Sequence, residues 1–265
     1  MPPVDRLRAP AKLTRSLHVV GVRFDGYHLL EAEMVSLDLA DEIEIEEGAD
    51  GFEVLDELEF IGEVPAPASV ASGAENLVVR ALRAAGRRAR VRLRKRIPAG
   101  AGLGGGSSDA AAVLRWAGVL DAEIAAGLGA DVPFCVVGGR ARVSGVGERV
   151  EPLDFEAFTA VLVTPRLVVS TPEVYRAWDS LGGPSGELGN DLEPAALALV
   201  PRLSWWRDLV EAVAGERPRL AGSGGTWYLE RDRDTAARLV TELAQAVRAE
   251  HESALVTVAS STPAL

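Results

Sequence analysis

The sequence has a single cysteine, Cys135, so no disulfide framework can form within the chain. No run approaches the ~18 apolar residues that a membrane-spanning helix needs, although hydrophobic residues make up 48% of the chain. The opening Met1-Pro-Pro-Val-Asp-Arg6 lacks the apolar core of a secretory leader. These absences together predict a cytoplasmic protein with no membrane partner. Positive charge is also in deficit, and the net charge is −11. A general nucleic-acid binder needs a basic face, so nucleic acid is excluded as a partner. The basic residues that do cluster run from Arg87 to Arg96 and alternate with Val91, Leu93 and Ile97. That pattern describes the solvent side of a strand, with Lys95 and Arg96 close enough to the next loop to see a nucleotide. The 265 residues can hold one large domain or two of medium size, each with its own core.

Against these absences stands one dense feature. Residues 98–110 read Pro98-Ala99-Gly100-Ala101-Gly102-Leu103-Gly104-Gly105-Gly106-Ser107-Ser108-Asp109-Ala110, with five glycines between positions 100 and 106. Without Cβ atoms such a loop can take positive φ and bring its N–H groups close to a ligand. The strand-like run Ala89–Ile97 leads in, and an alanine-rich helix beginning near Ser107 leads out. The helix start aims unpaired N–H groups and a positive dipole end at the same point. Loop and helix start together make a phosphate site, with the Ser107 and Ser108 hydroxyls able to cap the helix or reach phosphate. A flexible linker would not sit between a strand and a strong helix former. No Gly-Lys-Ser/Thr closes the loop, so it is not a Walker A motif. Its G-x-G-x-x-G spacing alone is weak, and Asp121 falls in a helix or turn rather than at a strand end.

The loop resembles the second motif of the GHMP kinases. In the form Gly102–Ala110 it is most similar to the branch that phosphorylates diphosphocytidyl-methylerythritol. Two further segments carry the same resemblance. Ala9-Pro10-Ala11-Lys12, at the start of a predicted strand, is similar to the family's opening motif. Gly129-Ala130-Asp131-Val132-Pro133-Phe134 is similar to its acidic motif. The resemblance implies that Lys12 and Asp131 are catalytic: the carboxylate takes or orients the proton of the accepting hydroxyl, and the lysine balances charge. It implies that Pro98–Ser108 bind ATP, with Asn76 near the adenine. As a residue type, Asn76 could equally be the cap of a helix running to about Gly86.

Asp25-Gly26-Tyr27-His28 is a turn signal. It resembles the branch's cytosine-binding segment, in which Tyr27 stacks on the base and His28 recognises its edge. A packed turn could use the same residues. Tyr175, in a helix entered through Ser170-Thr171-Pro172 after a strand at Val168-Val169, matches the other wall of that site or a core aromatic. Leu220-Ala221-Gly222-Ser223-Gly224-Gly225-Thr226 resembles the third motif. There Gly222, Ser223 and Gly224 would bind substrate through a turn made looser by Gly225, where relatives carry proline. Thr14 and Arg15 depart from the family's Asn-Leu; Thr14 stands at a substrate contact but cannot present an amide.

The resemblance covers nearly the whole chain. It implies an α+β, two-domain GHMP kinase fold. Residues 1–153 would form the ATP-binding domain, like domain 2 of ribosomal protein S5, and 154–265 a ferredoxin-like domain. The implied reaction is ATP-dependent phosphorylation of the 2-hydroxyl of 4-diphosphocytidyl-2-C-methyl-D-erythritol, in the non-mevalonate isoprenoid precursor pathway. ATP is the co-substrate and Mg²⁺ bridges its phosphates, with no dedicated metal cage in the sequence. The expected assembly is a monomer or weak homodimer. Two other readings stay open: a GHMP kinase for another small alcohol, and a nucleotide-binding relative without catalysis.

Overall fold

The computed structural model describes residues 3–62 and 73–265. Two long strands, β1 (Asp5–Val22) and β2 (His28–Glu47), pair antiparallel across a turn at residues 23–27. Gly26 takes φ of 86° in that turn, and Asp25 Oδ1 accepts from the Tyr27 amide (3.3 Å). Ile43 and Ile45 are wholly buried while the intervening glutamates reach outward, as the alternation predicts. Of the variable loop expected over 48–74, the short strand is β3 (Gly51–Asp56), and 63–72 lie outside the described residues.

Helix α1 (Leu77–Ala84) is capped by Asn76, whose Oδ1 accepts from the Val78 amide (2.9 Å). Strand β4 (Ala89–Lys95) pairs antiparallel with β2 and parallel with β3. Its basic run is neutralised by those neighbours. Arg87 pairs with Glu47, Arg88 with Asp50, Arg90 with Glu46, Arg92 with Glu44 and Glu53, and Arg94 with Glu57. Exposed pairs of this kind contribute ~0–1 kcal/mol each. The strand is held more by Val91 and Leu93, each about 1.5–3 kcal/mol when buried. Arg96 does not reach the nucleotide loop; it pairs with Glu42 and Glu57 instead.

Helix α2 (Gly105–Trp116) begins two residues before Ser107, with Gly104 at its N-cap in a left-handed conformation (φ 66°). Neither serine caps it, because both already lie inside the helix, and the Ser108 hydroxyl is buried without a partner. Helices α3 (Ala122–Leu128) and α4 (Val132–Val137) follow, and α2 packs on α1, α4 and β1. Strands β5 (Arg140–Gly145) and β6 (Arg149–Leu153) complete a sheet ordered β3-β4-β2-β5-β6, with β1 also on β2.

After Leu153 the chain enters a second, antiparallel sheet, ordered β10-β7-β9-β8. Its strands are β7 (Thr159–Pro165), β8 (Arg219–Leu220), β9 (Trp227–Arg231) and β10 (Ala254–Ser260). Its helices are α5 (Thr171–Ser180), α6 (Glu193–Leu199), α7 (Arg202–Ala214) and α8 (Arg233–Ala249). No strand forms at Val168-Val169, and the Ser170 side chain makes no capping bond at the start of α5. The connection between α5 and α6 is fastened to β1: the Leu17 amide donates to Gly189 O (2.8 Å) and the Leu17 carbonyl accepts from the Asp191 amide (2.9 Å). Among the described residues no helix is long and apolar enough to cross a membrane.

Candidate active site

A cavity of about 920 Å³ runs between the two sheets' loops, lined by most of the residues singled out from the sequence. Ala9-Pro10-Ala11-Lys12 lies in the middle of β1, not at its start. Proline has no N–H for the ladder, and the β1–β2 register shifts between Pro10 and Lys12. The Lys12 amide donates instead to Leu103 O (2.9 Å), which fastens β1 to the glycine loop. Gly104 must be glycine twice over. Its φ is 66°, and a Cβ there would lie 2.6 Å from Lys12 Cγ.

Lys12 is 4% exposed at the floor of the cavity. Its Nζ donates to Thr14 Oγ1 (3.1 Å) and lies 3.3 Å from Asp131 Oδ2. Thr14, which departs from the family pattern, is therefore a partner of the lysine. Asp131 stands at the N-cap of α4 but makes no capping bond, which leaves its carboxylate for Lys12. Arg15 points to the opposite face of β1. It pairs with Glu33, Glu156 and Glu230 and lies over the Phe158 ring, 5.0 Å from its centroid.

Pro98–Gly102 and Gly104–Ser107 line the cavity; Leu103 turns into the core, and Ser108 is buried behind the loop. The first N–H groups of α2 have no partner within the helix. Asn76 lines the same end, so its capping bond and its place beside the cavity coexist. Gly222 and Ser223 also line the cavity, whereas Gly224 packs inward near Val169 and Leu220. The turn at Gly225 is not loose. Gly225 takes φ of 108°, which proline cannot adopt, and a Cβ there would meet Gly100 O at 2.7 Å. Thr226 Oγ1 donates to Ala101 O (2.7 Å), and Asn190 Nδ2 donates to Leu220 O and Gly222 O (2.9 and 2.7 Å). The two glycine-rich turns lie back to back.

At the far end His28 is stacked on Tyr175, with ring centroids 4.7 Å apart, and edge-on to Trp178 at 5.6 Å. Its Nε2 lies 2.8 Å from Asp179 Oδ1. Burial pushes the Tyr175 phenol up to about 12, so it stays a neutral hydrogen-bonding group. Tyr27 lines the cavity from the hairpin turn and remains mostly exposed. Asp179 went unread in the sequence, though its i, i+4 spacing from Tyr175 already put both on one helix face. Lys95 also lines the cavity, but it is bound to Asp41 and Asp109, a cluster that no local pattern announced.

Residues 76–139 match the GHMP kinases N terminal domain. The 4-diphosphocytidyl-2-C-methyl-D-erythritol kinase of Paracoccus denitrificans is 38% identical, over 86% of this chain and 87% of its own. That of Cereibacter sphaeroides is 36% identical, over 92% and 94%. A crystal structure of 4-(cytidine 5'-diphospho)-2C-methyl-D-erythritol kinase superposes with a TM-score of 0.72 at 34% identity, covering 97% of this chain and all of that one. Homoserine kinase from Cytophaga hutchinsonii shares the fold, with a TM-score of 0.62 at 18% identity over 100% and 96% of the chains.

Proposed function

This chain belongs to the 4-diphosphocytidyl-2-C-methyl-D-erythritol kinases of the GHMP kinase family, and from that membership we propose how its residues carry the reaction. The activity is ATP-dependent phosphorylation of this small-molecule alcohol in isoprenoid precursor biosynthesis. In our reading the γ-phosphoryl group passes to the 2-hydroxyl. Residues 1–153 act as the nucleotide domain and 154–265 as the second domain.

One observation carries the assignment of roles. The Lys12–Asp131 pair (3.3 Å) lines the same cavity as the glycine loop and the His28–Tyr175 stack. The α2 N–H groups and the loop backbone hold the ATP phosphates. Asp131 accepts the proton of the attacking hydroxyl, and Lys12 stabilises the charge that develops at the transferring group. Thr14 holds the ammonium in place. His28, Tyr27 and Tyr175 receive the cytosine, and Gly222 and Ser223 approach the substrate phosphates.

Among the described residues no group of three or more His, Cys, Asp or Glu side chains could hold a metal ion. Mg²⁺ would be held mainly by phosphate oxygens and water and would offset phosphate charge. The test is ADP release with ATP and 4-diphosphocytidyl-2-C-methyl-D-erythritol, on the wild type and Asp131→Asn. Turnover that collapses in the variant supports both substrate and role. Turnover that survives overturns the role of Asp131, and none in the wild type overturns the substrate.

A further inference from the structure

The chain contains only two lysines, Lys12 and Lys95; every other permanent cation is arginine. Lys12 has its role above. Lys95 ends β4, is 3% exposed, and lies between two carboxylates. Its Nζ contacts Asp41 on β2 and lies 2.7 Å from Asp109 Oδ2 on α2. A compact ammonium suits this space better than a broad guanidinium fork would. Asp41 is fully occupied, because its Oδ1 also accepts from the Arg96 and Ile97 amides (2.5 and 2.9 Å). Asp109 is 2% exposed, and its Oδ1 has no partner.

Buried ion clusters are a poor device for stability, since apolar residues of similar size serve as well or better. The position of this one suggests another use. Asp41 fixes the chain where it enters the glycine loop. Lys95 and Asp109 fix it where it leaves: a Cβ on Gly105, the first residue of α2, would lie 3.2 Å from Lys95 Nζ. The cluster therefore brackets the nucleotide loop.

We propose that Asp109 is a positioning residue of the nucleotide site, acting through Lys95 on the first turn of α2, and that it takes up a proton from solvent as ATP binds. This rests on the nucleotide-site reading above. With both carboxylates ionised the cluster carries one net negative charge beside the site of a polyphosphate. With Asp109 protonated it is neutral. In a poorly screened interior a polyanion favours the neutral form, and linkage makes the effect reciprocal.

The surroundings place the change near neutrality. Burial pushes the Asp109 carboxyl up to about 7; Lys95 opposes the rise and Asp41 reinforces it. Burial alone would lower the Lys95 ammonium, but the two carboxylates keep it raised and charged. The buried residues of α1, which packs on α2, are Val78, Ala81 and Leu82, none of them titratable. On α4 the Cys135 thiol is driven far up by burial and stays neutral, and Lys12 on β1 is paired with Asp131.

The experiment is calorimetry of ATP binding near pH 7.5, without acceptor substrate, in PIPES and in Tris, on the wild type and Asp109→Asn. The nucleotide's own ionisation is common to both and cancels in the difference. The wild type should take up more protons than the variant. Its ATP Kd should rise about fivefold or more between pH 6.5 and 8.5, while the variant, fixed in the neutral form, stays nearly flat and binds tighter at high pH. A merely structural aspartate would not give tighter binding when replaced. Equal proton counts with ATP bound overturn this inference alone. A wild type that binds no ATP overturns the nucleotide-site reading as well. Should the variant not fold, the wild-type count corrected for free nucleotide decides, and a count of zero overturns the proposal.

Discussion

Lys12 Nζ lies 3.3 Å from Asp131 Oδ2, one residue from mid-β1 and the other from the turn before α4. Neither side chain is spent on anything else but Thr14, which accepts from the lysine. Both residues line the cavity, where the proposed proton acceptance by Asp131 and charge stabilisation by Lys12 would take place.

Asp131→Asn keeps the shape and removes the proton acceptor. We expect kcat to fall on the order of 10²–10⁴-fold while ATP still binds. Steady-state ADP release together with equilibrium ATP binding separates the two effects.

Gly104→Ala tests the contact between loop and lysine. The new Cβ meets the Lys12 stem at 2.6 Å and forces a left-handed residue that costs about 1–2 kcal/mol. kcat should drop by more than that strain accounts for, because Lys12 must move. A variant with lowered thermal stability but wild-type kcat would show that the lysine has room to yield.

Tyr175→Ala removes the ring against which His28 is stacked. KM for the cytidyl substrate should rise about tenfold or more, as expected for losing a stacking wall worth about 1–3 kcal/mol, with KM for ATP unchanged. Equal changes in both KM values would argue for a general collapse of the cavity.

Arg15→Ala addresses the opposite face of β1. Arg15 joins β2, the connection at Glu156, and β9; its removal takes the nearer cation from Glu230, while Arg140 still pairs with Glu33 and Glu156. Its partners are partly solvated, so a loss of about 2 kcal/mol is expected in urea unfolding, smaller at high salt. The Lys12–Asp131 distance should survive, so residual kcat should stay near the wild-type value.

The raised Asp109 carboxyl also predicts a pH dependence of stability. Its folded value of about 7 lies above the ordinary value near 3.8, so the folded state binds more protons between the two. The contribution is fully present below about pH 4 and is lost as pH rises through about 7. Urea unfolding at pH 5 and pH 8 should show this component in the wild type and lose it in Asp109→Asn. An identical pH difference in both would assign it to another group.

Local patterns in the sequence determined much of this protein. The glycine run needed no neighbour to be read as a phosphate loop, because positive φ and helix starts are properties of short stretches. The alternation of β4 is equally local. The sequence also contained Lys12 and Asp131 in recognisable settings.

Only the tertiary structure decided the rest. It moved Lys12 to mid-strand, since a proline-linked register shift depends on what β2 offers opposite. It turned Arg15 away from the cavity, and gave Gly225 a backbone that packs on Gly100 instead of a loose turn. It also gathered Asp41, Lys95 and Asp109 from two strands and a helix into one buried cluster. Each of these is a contact between segments distant in sequence, and its energy depends on burial and geometry that no stretch of chain carries by itself.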